Sequence, residues 1–153
     1  LGDVKAAQKS YEQLLAVHTR KFGSDGLATH LLDAQLAAST ADAPRLRRAL
    51  SVLEADRIQE RPVLQRVVTL LRARLALVEQ NPQSARTLLA SLPVDVSNLS
   101  ALEATVELAA LWRTLGEPRR AADIADAALA AIGQLPEAAR LSALRDRLRS
   151  VKG

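Results

Sequence analysis

Apolar residues recur at steps of three and four along almost the whole chain, with polar residues between them. That period places the apolar positions on one face of a helix. Eight helices are predicted, with breaks at Gly, Pro, Asn and Asp. The first covers about residues 3–20 and puts Ala7, Tyr11, Leu14 and Val17 on one face, before the break Gly23-Ser24-Asp25-Gly26. The second, about 27–39, has Leu32, Leu36 and Thr40 in step. Pro44 suits the first turn of the third helix, where its missing N–H would have no partner anyway. That helix carries Leu46, Ala49, Leu50 and Leu53. Pro62 opens a long fourth helix to about Gln80, with Val67, Leu70, Leu71, Leu75 and Val78. Asn81-Pro82 reads as a cap and a first-turn proline, opening a short fifth helix to about Ser91. Residues 92–96 read as a loop. Ser97 or Asn98 caps the sixth helix, and Gly116 stops it after Leu115, because glycine tolerates positive φ. Pro118 starts the seventh, to about Gly133, and Pro136 the last, with Leu141, Leu144, Leu148 and Val151 on one side.

A phrase repeats along these helices. It reads Gly2-Asp3, then Ala7, Tyr11, Leu14 and Leu15 near the start, and Gly116-Glu117, then Ala121, Ala125, Ala128 and Leu129 near the end. Weaker copies place Ala49 before Leu53 and Ala85 before Leu89. The alanines 7, 49, 85 and 121 are 42, 36 and 36 residues apart. A period of that size marks stacked helical hairpins, which are usually surfaces for holding another protein.

Composition narrows the fold. Among 153 residues, 48% are hydrophobic but only 2% aromatic, so alanine and leucine must do the packing. This favours closely approaching helices over sheets, which draw on β-branched and aromatic residues. The absence of cysteine excludes disulfides, thiolate metal sites and a cysteine nucleophile, and leaves the redox compartment open. No apolar run approaches the roughly 18 residues that span a bilayer. The net charge of +4 comes mostly from arginine, interleaved with 17 acids, which reads as a solvated mixed-charge surface. The Ala- and Arg-rich, Lys-poor composition points toward a bacterial gene. The chain opens in mid-motif without a methionine, so a fragment of a larger protein is the expectation, with cytoplasmic the expected location.

Leu108-Ala109 and Trp112 before Gly116, then Ala121 and Ala128, resemble the tetratricopeptide repeat (TPR) family. Small residues let neighbouring helices approach, and the aromatic fills the gap between hairpins. Gly2 through Leu15 is similar to the second helix of such a repeat. The long first helix with residues 21–29 is similar to the extended repeats of kinesin light chains and many bacterial proteins. Pro44 and Gln80 stand where the turn glycine would fall in the two middle copies. The resemblance implies an all-α, right-handed superhelix of stacked antiparallel hairpins, a TPR-like α-solenoid. It forms one domain over 1–153, closed by a C-terminal capping helix. Gly2, Ala7, Tyr11, Ala49, Ala85, Ala109, Trp112, Gly116 and Ala121 are then its repeat-defining packing positions.

The resemblance also implies a concave groove lined by the first helix of each hairpin, with Gln35, Leu71, Arg74, Glu107 and Arg113 among its residues. The paired Lys, Asn and Arg of a chaperone-type carboxylate clamp are lacking there. An apolar floor with these orienting groups suits an amphipathic helix or an extended peptide. His18 and His30 lie on different helices without metal-ligand spacing, so no metal and no cofactor are expected. Asp123 and Asp126 read as an ion-paired face with Arg119 and Arg120 rather than a catalytic dyad. No phosphate-binding glycine loop or nucleophile elbow is present, and no enzyme is expected. Arginines 45, 47 and 48, with 57 and 61, and arginines 140, 145, 147 and 149 form two basic clusters that could meet phosphate or an acidic partner. No aromatic is interleaved for base stacking. The expected function is protein–protein interaction, as a scaffold or sensor that docks a partner segment across the concave face. Homo-oligomerisation through the end beside Gly2 and a basic surface for nucleic acid or an acidic partner are the alternatives.

Overall fold

The computed structural model describes residues 2–23, 26–55, 61–133 and 139–152. The described residues are all-α, with eight helices: α1 (Gly2–Phe22), α2 (Leu27–Ser39), α3 (Ala43–Ala55), α4 (Pro62–Val78), α5 (Pro82–Ala90), α6 (Leu99–Thr114), α7 (Pro118–Gly133) and α8 (Ala139–Lys152). Neighbouring helices pack on one another. The predicted breaks fall where expected, to within a few residues. Pro136 and the residues around it lie outside the described residues.

The chain divides into two compact units, Leu1–Asn81 and Pro82–Gly153. In the first, α2 packs against α1 and α3, and α4 packs against α2 and α3. Leu46, Ala49, Leu50 and Leu53 follow the i, i+3, i+4, i+7 pattern, so all four meet the same face of α2 and α4. Their core partners are Ala34, Ala37, Val68 and Leu71. The alanines at 34, 37 and 49 leave room for the backbones to approach, and the leucines fill the space between them. Thr29, itself buried, ties the start of α2 to the preceding turn by donating from Oγ1 to the Gly23 carbonyl at 3.1 Å.

In the second unit α6 packs on α7, both pack on α8, and α5 rests on α6. Leu102 and Val106 meet Ala125, Ala128 and Ile132, and Leu144 and Leu148 of α8 complete the core. Asn98 caps α6, its side chain accepting from the Ala101 amide at 3.0 Å. The fully buried Thr105 donates from Oγ1 to the Asp95 carbonyl at 2.7 Å and so pins the loop that leads into α6. Arg86 of α5 donates to the Leu115 carbonyl at 3.1 Å and pairs with Glu117 at 3.5 Å, which satisfies an orphan carbonyl at the end of α6.

Helices α2, α4 and α6 end in the same way. A left-handed residue follows each: Ala41 (φ 55°), Gln80 (φ 58°) and Gly116 (φ 77°). The next amide then reaches five residues back. Asp42 donates to the Ala37 carbonyl at 2.9 Å, Asn81 to Ala76 at 2.8 Å and Glu117 to Trp112 at 3.1 Å. This is the Schellman closure, and it satisfies carbonyls that the helix leaves open. The following helix starts at the very next residue. Gln80 thus adopts the same left-handed conformation as Gly116. Pro44 does not, since its ring forbids positive φ; the left-handed position moves back to Ala41, and Pro44 sits in the first turn of α3.

A Cβ added to Gly116 would meet nothing within 4 Å, so only its backbone conformation resists substitution. Gly116→Ala is expected to cost about 1 kcal/mol, the left-handed penalty less the entropy that glycine adds to the unfolded chain. Gln80→Gly relieves the same penalty and is expected to stabilise by about 0.5 kcal/mol. Urea unfolding of both variants checks the two opposite signs.

Candidate functional site

The first unit carries an open pocket of about 340 Å³ between α2 and α3, lined by His30, Asp33, Arg45, Arg48, Ala49 and Val52. Its residues stand one helical turn apart, 30 and 33 on α2, then 45, 48 or 49, and 52 on α3, so each helix presents a single stripe to it. The turn at 40–42 sets the two stripes side by side. Arg45 spans them: its Nη2 lies 2.6 Å and its Nε 2.8 Å from the same Asp33 oxygen. Both partners are partly exposed, which keeps the pair's contribution to stability near the roughly 0–1 kcal/mol of surface ion pairs. Ala49 is buried and forms the floor, while Val52 is exposed at the rim.

The rest of the first basic cluster is divided. Arg47 pairs with Glu79, and Arg48 has no hydrogen-bond or ion-pair partner among the described residues. Arg61 is exposed, and Arg57 lies outside the described residues. Next to the cluster, Arg72 bonds to Glu54 at 2.7 Å. That hydrogen bond, helped by the carboxylate's charge and opposed by burial, holds the guanidinium above its ordinary pKa. In the second cluster Arg147 pairs with Glu107 at 3.5 Å and Arg149 lies 4.0 Å from Asp146. The side chain of Arg140 lies outside the described ones.

The groove residues of the first unit differ in exposure. Leu71 is buried in the core of the first unit against α2 and α3, because α4 turns that side inward. Gln35 is exposed on α2, and Arg74 is half-buried on α4. In the second unit α8 contacts both residues expected to line the groove. Arg113 donates to the Ser150 carbonyl at 2.6 Å and also to that of Val151, while Glu107 meets Arg147 of the same helix. An arginine placed on the last carbonyls of α8 complements the negative end of its dipole.

The packing positions divide as well. Ala49, Ala85, Ala109, Trp112 and Ala121 are buried, and Arg120 stacks over the Trp112 ring at 3.9 Å. Tyr11 is not: it stands 36% exposed, followed by Leu14 at 44% and Val17 at 57%. Among the described residues of the first unit, α1 packs against α2 alone, so nothing in that unit covers this stripe. Gly2 and Ala7 belong to α1, but their surroundings lie outside what is described. Asp126 pairs with Lys152 of α8 at 2.6 Å instead of with Arg119 or Arg120. No group of three or more His, Cys, Asp or Glu that could hold a metal occurs among the described residues, and no described helix is long and apolar enough to cross a membrane.

No family model, curated protein or solved structure matches the chain.

The pocket was not visible as a site in the sequence. His30 and Arg48 are 18 residues apart, and only the turn length brings their stripes together. Placing Leu71 in the core has a measurable consequence. Leu71→Ala is expected to destabilise the protein by about 2–5 kcal/mol, as buried leucine truncations do. Thermal or urea unfolding checks it; an unchanged midpoint would return Leu71 to an open face.

Proposed function

We propose that this chain is a protein-interaction module of TPR-like helical hairpins that receives an amphipathic partner helix along α1, as a scaffold or sensor unit of a larger bacterial protein. The carrying observation is the stripe Tyr11, Leu14 and Val17, three large apolar side chains exposed on one helix face. Their spacing of three residues matches the ridge that one helix offers to another. Arg20 stands exposed beside Val17, which favours a partner helix with acidic residues flanking its apolar face. The TPR-like reading draws support from the shared turn that ends α2, α4 and α6, and from the buried alanines at 49, 85 and 121. The engagement of Glu107 and Arg113 by α8 supports a docking face other than the expected groove. Arg45, Arg47 and Arg147 are each committed to a carboxylate, which leaves less of the basic charge for phosphate.

A photo-crosslinking residue placed at Val17 in the native host tests the reading, with one at Thr19 as control. Thr19 is exposed and lies about 160° away around the helix. A single heavy adduct from position 17, absent from 19 and lost in Leu14→Glu, is the expected outcome. Equal labelling from both positions would refute the docking face. An adduct of twice the chain's own mass would identify self-association instead.

A further inference from the structure

We infer that the α2–α3 pocket binds a single carboxylate of an acidic peptide, held by Arg48 and His30 against the apolar surface of Ala49 and Val52. This site uses none of the residues of the α1 stripe. Among the described residues, neither the Arg48 guanidinium nor the His30 imidazole is engaged by a hydrogen bond or ion pair. Both are donors or potential donors, and both line the same cavity of about 340 Å³. Arg45, the second arginine of the pocket, is already paired with Asp33 at 2.6 Å.

Charge decides the class of ligand. Two arginines against one aspartate leave the lining with one net positive charge when the imidazole is counted neutral. A monoanion balances it. A phosphate carries about −1.5 to −2 near neutral pH and would have to sit beside the Asp33 carboxylate, where like charges repel. The planar guanidinium of Arg48 matches the two oxygens of a carboxylate. Exposed Val52 and the Ala49 floor give the carbons next to that carboxylate an apolar wall, so a glutamate, or a chain end that follows an aliphatic residue, fits the cavity.

Asp33 makes the assignment directional. Asp33→Asn keeps the side-chain shape, releases Arg45 from its ion pair and adds a positive charge to the lining, so carboxylate binding should tighten. A residue that merely supported the fold would not give that sign.

The test is amide chemical-shift titration of the ¹⁵N-labelled chain with three probes: N-acetyl-glutamyl-leucine amide, which offers only a side-chain carboxylate; N-acetyl-leucine, which offers only a terminal one; and inorganic phosphate. Saturable shifts confined to residues 28–33 and 45–52 are expected with at least one carboxylate probe, and the tighter of the two identifies the natural source. Arg48→Gln should weaken that binding by roughly tenfold or more, the loss of the charge-assisted guanidinium–carboxylate contact. His30→Gln should weaken it less, Asp33→Asn should tighten it, and Arg119→Gln on α7 should leave it unchanged. Arg48 has no partner to lose among the described residues, so its variant should keep the wild-type spectrum elsewhere. The proposal falls if no saturable shift appears at these amides, if Arg48→Gln binds as well as the native chain, or if phosphate binds more tightly than both carboxylates.

Discussion

The interaction on which the rest depends is the backbone bond that closes the ends of α2, α4 and α6. In each case a left-handed residue lets the next amide turn back onto a carbonyl five positions earlier. That closure stops one helix and leaves the chain positioned to begin the next with no intervening loop. Within the first unit it fixes the register of α2 against α3, and within the second that of α6 against α7. Every side-chain pairing between those helices inherits this register, from the alanine contacts of the core to the Arg45–Asp33 bridge.

Packing follows from how little volume the chain has to work with. One Trp, one Tyr and one Phe leave most of the filling to leucine and alanine. Alanine at 34, 37 and 49 in one unit, and at 125 and 128 in the other, lets helix backbones approach until leucine, isoleucine and valine side chains meet. Trp112, a large aromatic buried in the interior, is covered on one side by the Arg120 guanidinium. The buried hydroxyls of Thr29 and Thr105 spend themselves on loop carbonyls, so these polar groups anchor connections instead of destabilising the cores.

The surface is mostly self-neutralising, and its exceptions carry the functional inferences. Arginines at 45, 47, 72, 86 and 147 each meet a carboxylate supplied by another helix or turn. Against that background Arg48, a charge with no described partner that lines a pocket, and the apolar face of α1, a stripe of carbon left in water, carry those inferences. Exposed pairs of this kind contribute little to stability.

Eight helices and their breaks were legible in the residues because periodicity, capping and proline placement act within a few positions of one another. Asn98 could be assigned as a cap, and Gly116 as a stop, from chemistry local to each. The recurrence of Ala49, Ala85 and Ala121 was legible for the same reason, as a spacing. The occupancy of each face was not. Leu71 and Tyr11 look alike in the periodic pattern, yet one is core and the other stands in solvent, because burial depends on which helix lies opposite. Glu107 and Arg113 read as free groove residues until α8, some 40 positions later in the chain, supplies partners for them. His30 and Arg48 became neighbours only through the register set by one left-handed residue, Ala41. Local order is written in adjacent residues, whereas a site is a relation between distant ones, and that relation exists only once the helices have packed.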